Sequence, residues 1–118
     1  MSSAEVFNIN KVVWQEFGPG NPRTAIYQGS EHLTIQYFEL PSKSQGPPEH
    51  HPEEQIACVL KGMCRFWVEG KTYEAGPGCL IRIPANAEHY GMNPGNQTAV
   101  TLEIFIPKRA GREQSQPE

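Results

Sequence analysis

The sequence predicts an all-β fold, a barrel or sandwich of short strands in a single domain, and three observations carry that expectation. Apolar residues recur with a period of two, the spacing of a strand half-buried against a core, rather than the helical period of about 3.6. Eleven glycines and eleven prolines are spread through the 118 residues, so the apolar runs are short and bounded by turns. No stretch carries a convincing helical stripe.

The elements follow in order. Val12–Phe17 reads as a short strand broken by GPGNP, and Thr24–Gln28 as a second, ended by the turn-forming GSE. Leu33–Leu40 (LTIQYFEL) is rich in β-branched and aromatic residues and stops at Pro41. After the loop SKSQGPP comes Gln55–Leu60. Lys61-Gly62 and Glu69-Gly70 read as tight hairpin turns into Met63–Val68 and Lys71–Ala75. Cys79–Ile83, His89–Asn93 and Thr98–Ile106 complete a set of nine or ten strands. A single domain spans 1–118, with an ordered core of about 10–110. The polar N-terminal residues and the tail from about Gly111 (GREQSQPE) are expected to be loose.

Composition narrows the function classes. Hydrophobic residues make up 37% and charged residues 19%, a globular balance. The net charge of −3 comes without a basic patch, which argues against nucleic acid as a partner. The start, MSSAEVFNINK, lacks the apolar run of a signal peptide, and nothing approaches eighteen consecutive apolar residues. A soluble, cytoplasmic protein with no membrane partner is therefore expected. Cys58, Cys64 and Cys79 cannot all pair within one chain and show no zinc-like spacing, so they read as reduced packing residues.

Two segments specify the kind of barrel. Gly78–Asn93 (GCLIRIPANAEHYGMN) resembles the second sequence motif of the cupins, G-x5-P-x-G-x2-H-x3-N, with Asn86 at the inner glycine, an exchange that a residue tolerant of positive φ permits. Glu49–Gly62 (EHHPEEQIACVLKG) is similar to the first motif, H-x-H-x3-E/Q-x6-G. The resemblance runs from about residue 12 to 109 and implies a single-domain cupin β-barrel (a jelly roll, or double-stranded β-helix). It further implies one divalent transition metal (Fe, Mn, Ni, Co or Zn) held by Glu49, His51, Gln55 and His89, with Glu49 standing where the motif has its first histidine. Strand geometry is compatible with that set. Positions 49 and 51 share a face, His50 takes the other, and Gln55 and His89 can converge from neighbouring strands. Two other arrangements stay open: His50 as a ligand after a local bulge, or no metal, with His51 and His89 as acid–base groups.

The chain's last strand ends in Glu103-Ile-Phe-Ile-Pro-Lys-Arg109, which resembles the D-x-F-x-P-x-R ending of small cupins that open 4,5-unsaturated uronates from pectin or alginate. Cupin polyketide cyclases look similar overall. The resemblance implies a small-molecule substrate in a pocket lined by Glu103, Phe105 and Arg109. Glu103 would move a proton and Arg109 would grip a carboxylate. A metal-dependent lyase, isomerase or cyclase acting on a sugar acid or carbonyl compound is the leading expectation. An Fe(II)-dependent dioxygenase using Glu49, His51 and His89 is a second, and a non-catalytic binding cupin a third. A homodimer is what the resemblance implies for assembly. Among the remaining residues, Tyr37, Phe66 and Trp67 read as core or pocket-wall packing, Tyr90 as pointing away from the metal, and His32 as a turn residue. Arg82 reads equally as a pocket cation or an outer, solvated one.

Overall fold

In the computed structural model, which describes residues 3–118, nine strands form: β1 (Gln15–Glu16), β2 (Arg23–Tyr27), β3 (Thr34–Leu40), β4 (Glu54–Lys61), β5 (Cys64–Val68), β6 (Lys71–Ala75), β7 (Leu80–Ile83), β8 (His89–Met92) and β9 (Ala99–Ile106). No helix forms among the described residues. All pairings are antiparallel and build two sheets, one in the order β1-β2-β3-β9-β4-β7 and one in the order β6-β5-β8. Together they make the jelly roll that the motif resemblance implies.

Alternation sorts the side chains. Along β9, Ala99, Thr101, Glu103 and Phe105 are buried while their neighbours are partly exposed, and β4 does the same with Gln55, Ala57 and Val59. The inward positions are mostly apolar on β4, β5 and β7, where Ala57, Val59, Cys64, Phe66, Val68 and Ile83 form the core. Beside them, at Gln36 on β3, Gln55 at the start of β4 and Thr101 and Glu103 on β9, the inward positions are polar. Burial at about 25 cal/mol per Å² makes the apolar side the source of stability. The polar side is free to carry chemistry.

One of the two expected hairpins forms. Glu69 and Gly70 have φ of 47° and 84°, the left-handed pair that joins β5 to β6 in a tight turn. Lys61-Gly62 instead carries the chain from the larger sheet to the smaller, so β4 and β5 do not pair. A register shift between Val59 and Lys61 bends the strand there, and Gly62 (φ 78°) passes so close to β9 that a Cβ would meet the Ala99 Cα at 2.9 Å. Asn86, at the motif's inner glycine, adopts φ 67°, as that exchange requires.

The C-terminal tail is not loose. β1 covers β2 only at Arg23 and Thr24, which leaves the rest of that edge with unpaired backbone groups. The tail satisfies them: Ser115 N donates to Ile26 O (2.8 Å), and Ile26 N donates to Ser115 Oγ (2.8 Å). Further along, Val13 N donates to Gln116 O (2.8 Å). The cysteines are unpaired as expected, but only Cys64 is buried; Cys58 is half-buried and Cys79 exposed. Phe66 packs in the core. Trp67 does not: it stacks on Tyr90 across β5 and β8, on the face opposite His89 and Val68. Tyr37 lies on the partly exposed positions of β3. Arg82 pairs with Glu54 at 2.8 Å on the solvent side, which settles it as an outer cation.

Gln28 fastens the tail to the barrel. Its Nε2 donates to the carbonyls of Arg109 (2.9 Å) and Arg112 (3.0 Å), and its Oε1 accepts from Thr34 Oγ1 (2.6 Å). Gln28→Leu removes all three bonds, and at about 1 kcal/mol each it should cost about 2 to 3 kcal/mol. Urea unfolding should show a lower midpoint with an unchanged slope; an unchanged midpoint would mean that the tail is not held by this residue.

Candidate metal centre and cavity

Local pairing brings the three acidic and imidazole groups together. Glu49 and His89 lie opposite one another in a short bridge and exchange both backbone N–H···O bonds at 2.9 Å, so their side chains leave the same face. His51 follows Glu49 by two residues and shares that face. One ligand atom from each of Glu49, His51 and His89 lies within 4.8 Å of the other two, a group that could hold a metal ion. His50 is exposed and lies outside it.

Hydrogen bonding fixes how these groups present themselves. The Nδ1 of His51 is 3.0 Å from Glu53 O, and the Nδ1 of His89 is 2.9 Å from Ala87 O. A carbonyl can only accept, so each Nδ1 carries the proton, and a neutral ring offers its Nε2 lone pair to the centre. The Nε2 of His89 is buried without a hydrogen-bond partner, 3.7 Å from Glu49 Oε1. The Nε2 of His51 faces Gln55 Oε1 at 3.1 Å and Glu49 Oε1 at 3.9 Å. The orientation of the Gln55 amide is set by its other end, because Nε2 donates to Glu103 Oε1. Lone pairs of Glu49, His51 and His89 therefore face one another within 4.8 Å, and Gln55 Oε1 lies 3.1 Å from the His51 Nε2. A divalent cation would fit these mixed nitrogen and oxygen donors.

Glu103 sits beside this cluster on β9. Its two carboxylate oxygens accept from Gln55 Nε2 and from Thr101 Oγ1 (2.8 Å). Burial pushes its carboxyl up to about 7, against the opposing pull of those two donors. Arg109 approaches from beyond the end of β9. Its guanidinium lies over the Phe105 ring (4.6 Å to the centroid), with Nε 3.4 Å from Glu53 Oε1, and its backbone N–H donates to Thr34 Oγ1 (2.9 Å). Phe105 in turn meets the His51 ring edge-on at 5.6 Å.

A cavity of about 690 Å³ opens onto this assembly, walled by Glu49, Gln55, His89, Glu103, Phe105 and Arg109. Of the seven residues expected at the site, only His51 stands behind the wall rather than on it. The sequence reading missed three contributors. Thr101 and Glu53 hold Glu103 and Arg109, and Gln36, opposite Glu103 in the β3–β9 register, donates from Nε2 to Thr24 Oγ1 (3.2 Å) at the cavity wall. The available signal was parity, since Gln36 and Thr101 are polar residues at inward positions.

The chain belongs to the cupin domain family, whose profile matches residues 36–105, well over half its length. Among curated proteins it is similar to acireductone dioxygenases, for example those of Bacillus thuringiensis subsp. konkukian and Bacillus anthracis. Each is 32% identical over 62 residues, covering 48% of this chain and 36% of the relative. The chain thus matches about a third of the length of those relatives. Among solved structures, an RmlC-like cupin from Shewanella frigidimarina superposes with a TM-score of 0.81 at 17% identity, covering 92% of this chain and 95% of that one. KdgF from Halomonas sp. superposes with a TM-score of 0.80 at 21% identity, covering 92% and 97%.

Two outcomes follow from this geometry. Elemental analysis should find about one equivalent of transition metal in the wild-type protein and in His50→Ala, and little in Glu49→Ala or His89→Ala; metal lost with His50→Ala would reassign the site. Glu103 also leaves a signature in the metal-free protein. A carboxyl raised from 4.5 to about 7 by folding stabilises the fold fully below about pH 4.5, progressively less as pH rises, and not at all above about pH 7. Thermal melting of Glu103→Gln should lose that part of the pH dependence between those limits, while an identical slope would place the titration elsewhere.

Proposed function

We propose that this cupin is a metal-dependent lyase, isomerase or cyclase acting on a small anionic hydroxy-carbonyl compound, with a 4,5-unsaturated uronate as the leading substrate. The observation that carries this reading is the placement of Glu103. A buried carboxyl, poised near neutrality, stands on the same cavity wall as Glu49, His89 and Arg109. Such a group is suited to moving a proton on a substrate whose anionic end Arg109 holds.

Each residue has a task in such a reaction. Arg109, its guanidinium over the Phe105 ring, would donate to a carboxylate. Thr101 and Gln55 hold both oxygens of Glu103, so the proton leaves and returns at a fixed place. A cation bound by Glu49, His51 and His89, with Gln55 beside them, would supply Lewis acidity toward a substrate oxygen. For an unsaturated uronate the conversion is an isomerisation. The bond between C1 and the ring oxygen breaks as the anomeric hydroxyl loses its proton and C1 becomes an aldehyde; the ring oxygen becomes the C5 ketone oxygen, and the C4 alkene carbon gains a proton.

A dioxygenase is the second reading. The match to acireductone dioxygenases supports it, as does the two-histidine, one-carboxylate composition of the group.

One assay separates them. Metal-loaded protein incubated with 4,5-unsaturated galacturonate should discharge the ultraviolet absorbance of the double bond without consuming oxygen. Glu103→Gln should lower kcat by about a hundredfold or more, and Arg109→Gln should mainly raise KM, by about tenfold. Oxygen uptake coupled to substrate loss would favour the dioxygenase, and binding without turnover would leave a binding protein.

A further inference from the structure

The tail beyond β9 brings a second arginine to the cavity. Residues Arg109-Ala110-Gly111-Arg112 form a turn in which Gly111 has φ 76°, the left-handed conformation demanded at the third position of a type II turn. The first and fourth residues of such a turn have Cα atoms within about 7 Å of each other. Gln28 pins both ends, since its single amide nitrogen donates to the Arg109 carbonyl (2.9 Å) and to the Arg112 carbonyl (3.0 Å). Behind the turn, the Ser115–Ile26 pair ties the tail to β2. Arg109 and Arg112 both line the cavity.

Their surroundings differ. Arg109 is steadied by Glu53 and Phe105. The Arg112 guanidinium has no hydrogen-bond or ion-pair partner among the described residues. Two neighbouring guanidiniums repel, and Arg112 pulls the pKa of Arg109 down, second only to burial. A chain that spends a glycine-dependent turn and a shared glutamine clamp to hold two like charges together gains nothing in stability from doing so. An anion between them reverses the sign of that interaction.

The geometry points to Arg112 as a binding residue that, with Arg109, holds one anionic group of the substrate in a two-arginine clamp at the cavity. The inference rests on the reading of the cavity as a site for a small anionic compound, and it adds a residue outside the strand-end sequence that suggested Arg109. The ligand chemistry is a carboxylate or another oxyanion, presenting at least two oxygens to two planar forks of donors.

The test uses the zinc-loaded full-length protein and follows the arginine Nε–Hε resonances, assigned from Arg109→Gln and Arg112→Gln. The ligands are D-galacturonate, inorganic sulfate and uncharged D-galactose. Galacturonate and sulfate should shift both resonances and galactose neither. Arg112→Gln should weaken galacturonate binding by about tenfold or more, the loss of one charge-assisted pair. Its melting temperature should stay at or above that of wild type, which separates lost binding from lost folding. An Arg112 resonance that does not move, or wild-type affinity for both anions in Arg112→Gln, overturns the clamp. Sulfate engaging both arginines while galacturonate engages neither would uphold the clamp and sink the sugar-acid reading. Silence of both arginines toward both anions would overturn the clamp.

Discussion

The side-chain amide of Gln55 joins the two chemical halves of this molecule, and most of the site depends on which way it faces. Its nitrogen donates to Glu103, a carboxylate that can only accept when ionised. That leaves its oxygen toward His51, whose Nδ1 proton is already committed to the Glu53 carbonyl. Two acceptors then stand 3.1 Å apart, an arrangement that costs energy unless positive charge lies between or beside them. The same holds for the orphaned Nε2 of His89. A cation held by Glu49, His51 and His89 would relieve both, and the hydrogen bonds that set up this arrangement begin at Glu103.

The fold tolerates this concentration of buried polar groups because its interior is divided lengthwise. β4 and β9 run side by side through both regions. Ala57 and Val59 belong to the apolar core while Gln55, on the same face, belongs to the cavity. On β9, Ala99 sits in the core, and Thr101, Glu103 and Phe105 follow it on the inward face. A buried carboxyl would be expensive alone, but Glu103 has a partner for each oxygen, and the strands that hold it are anchored by packing elsewhere. The cost that remains appears as the upward shift of its titration, the property an acid–base group working near neutrality requires.

Much of this was legible in the sequence, and the failures have a common cause. Period-two alternation located every strand to within a few residues, and it put Glu49 and His51 on one face; both are local properties, fixed by the pleat. That His89 meets them came from the motif resemblance, and the Glu49–His89 bridge supplies it. What depended on the other sheet was not legible. Lys61-Gly62 has the composition of a hairpin turn, yet the register shift and the close passage over Ala99 turn it into a crossover between sheets. Trp67 has the composition of core, but its parity opposes that of Phe66 and Val68. The tail GREQSQPE has no apolar pattern because it is held by hydrogen bonds to an exposed strand edge, which requires no apolar face.

Charge placement then gives the cavity a direction. Glu49 and Glu103 lie on one part of the cavity wall, and Arg109 and Arg112 lie on the turn beyond β9, with Glu113 next to them. Because Arg109 is steadied by Glu53 from outside the cavity wall, its remaining donors are not spent on Glu103. On the proposed reading, an anionic ligand would settle with its acidic group against the arginines and its carbons toward Glu103, oriented before any reaction. Phe105 packs between the His51 ring and the Arg109 guanidinium. Glu103 and Phe105 share the inward-facing parity of β9, and Arg109 follows just beyond its end.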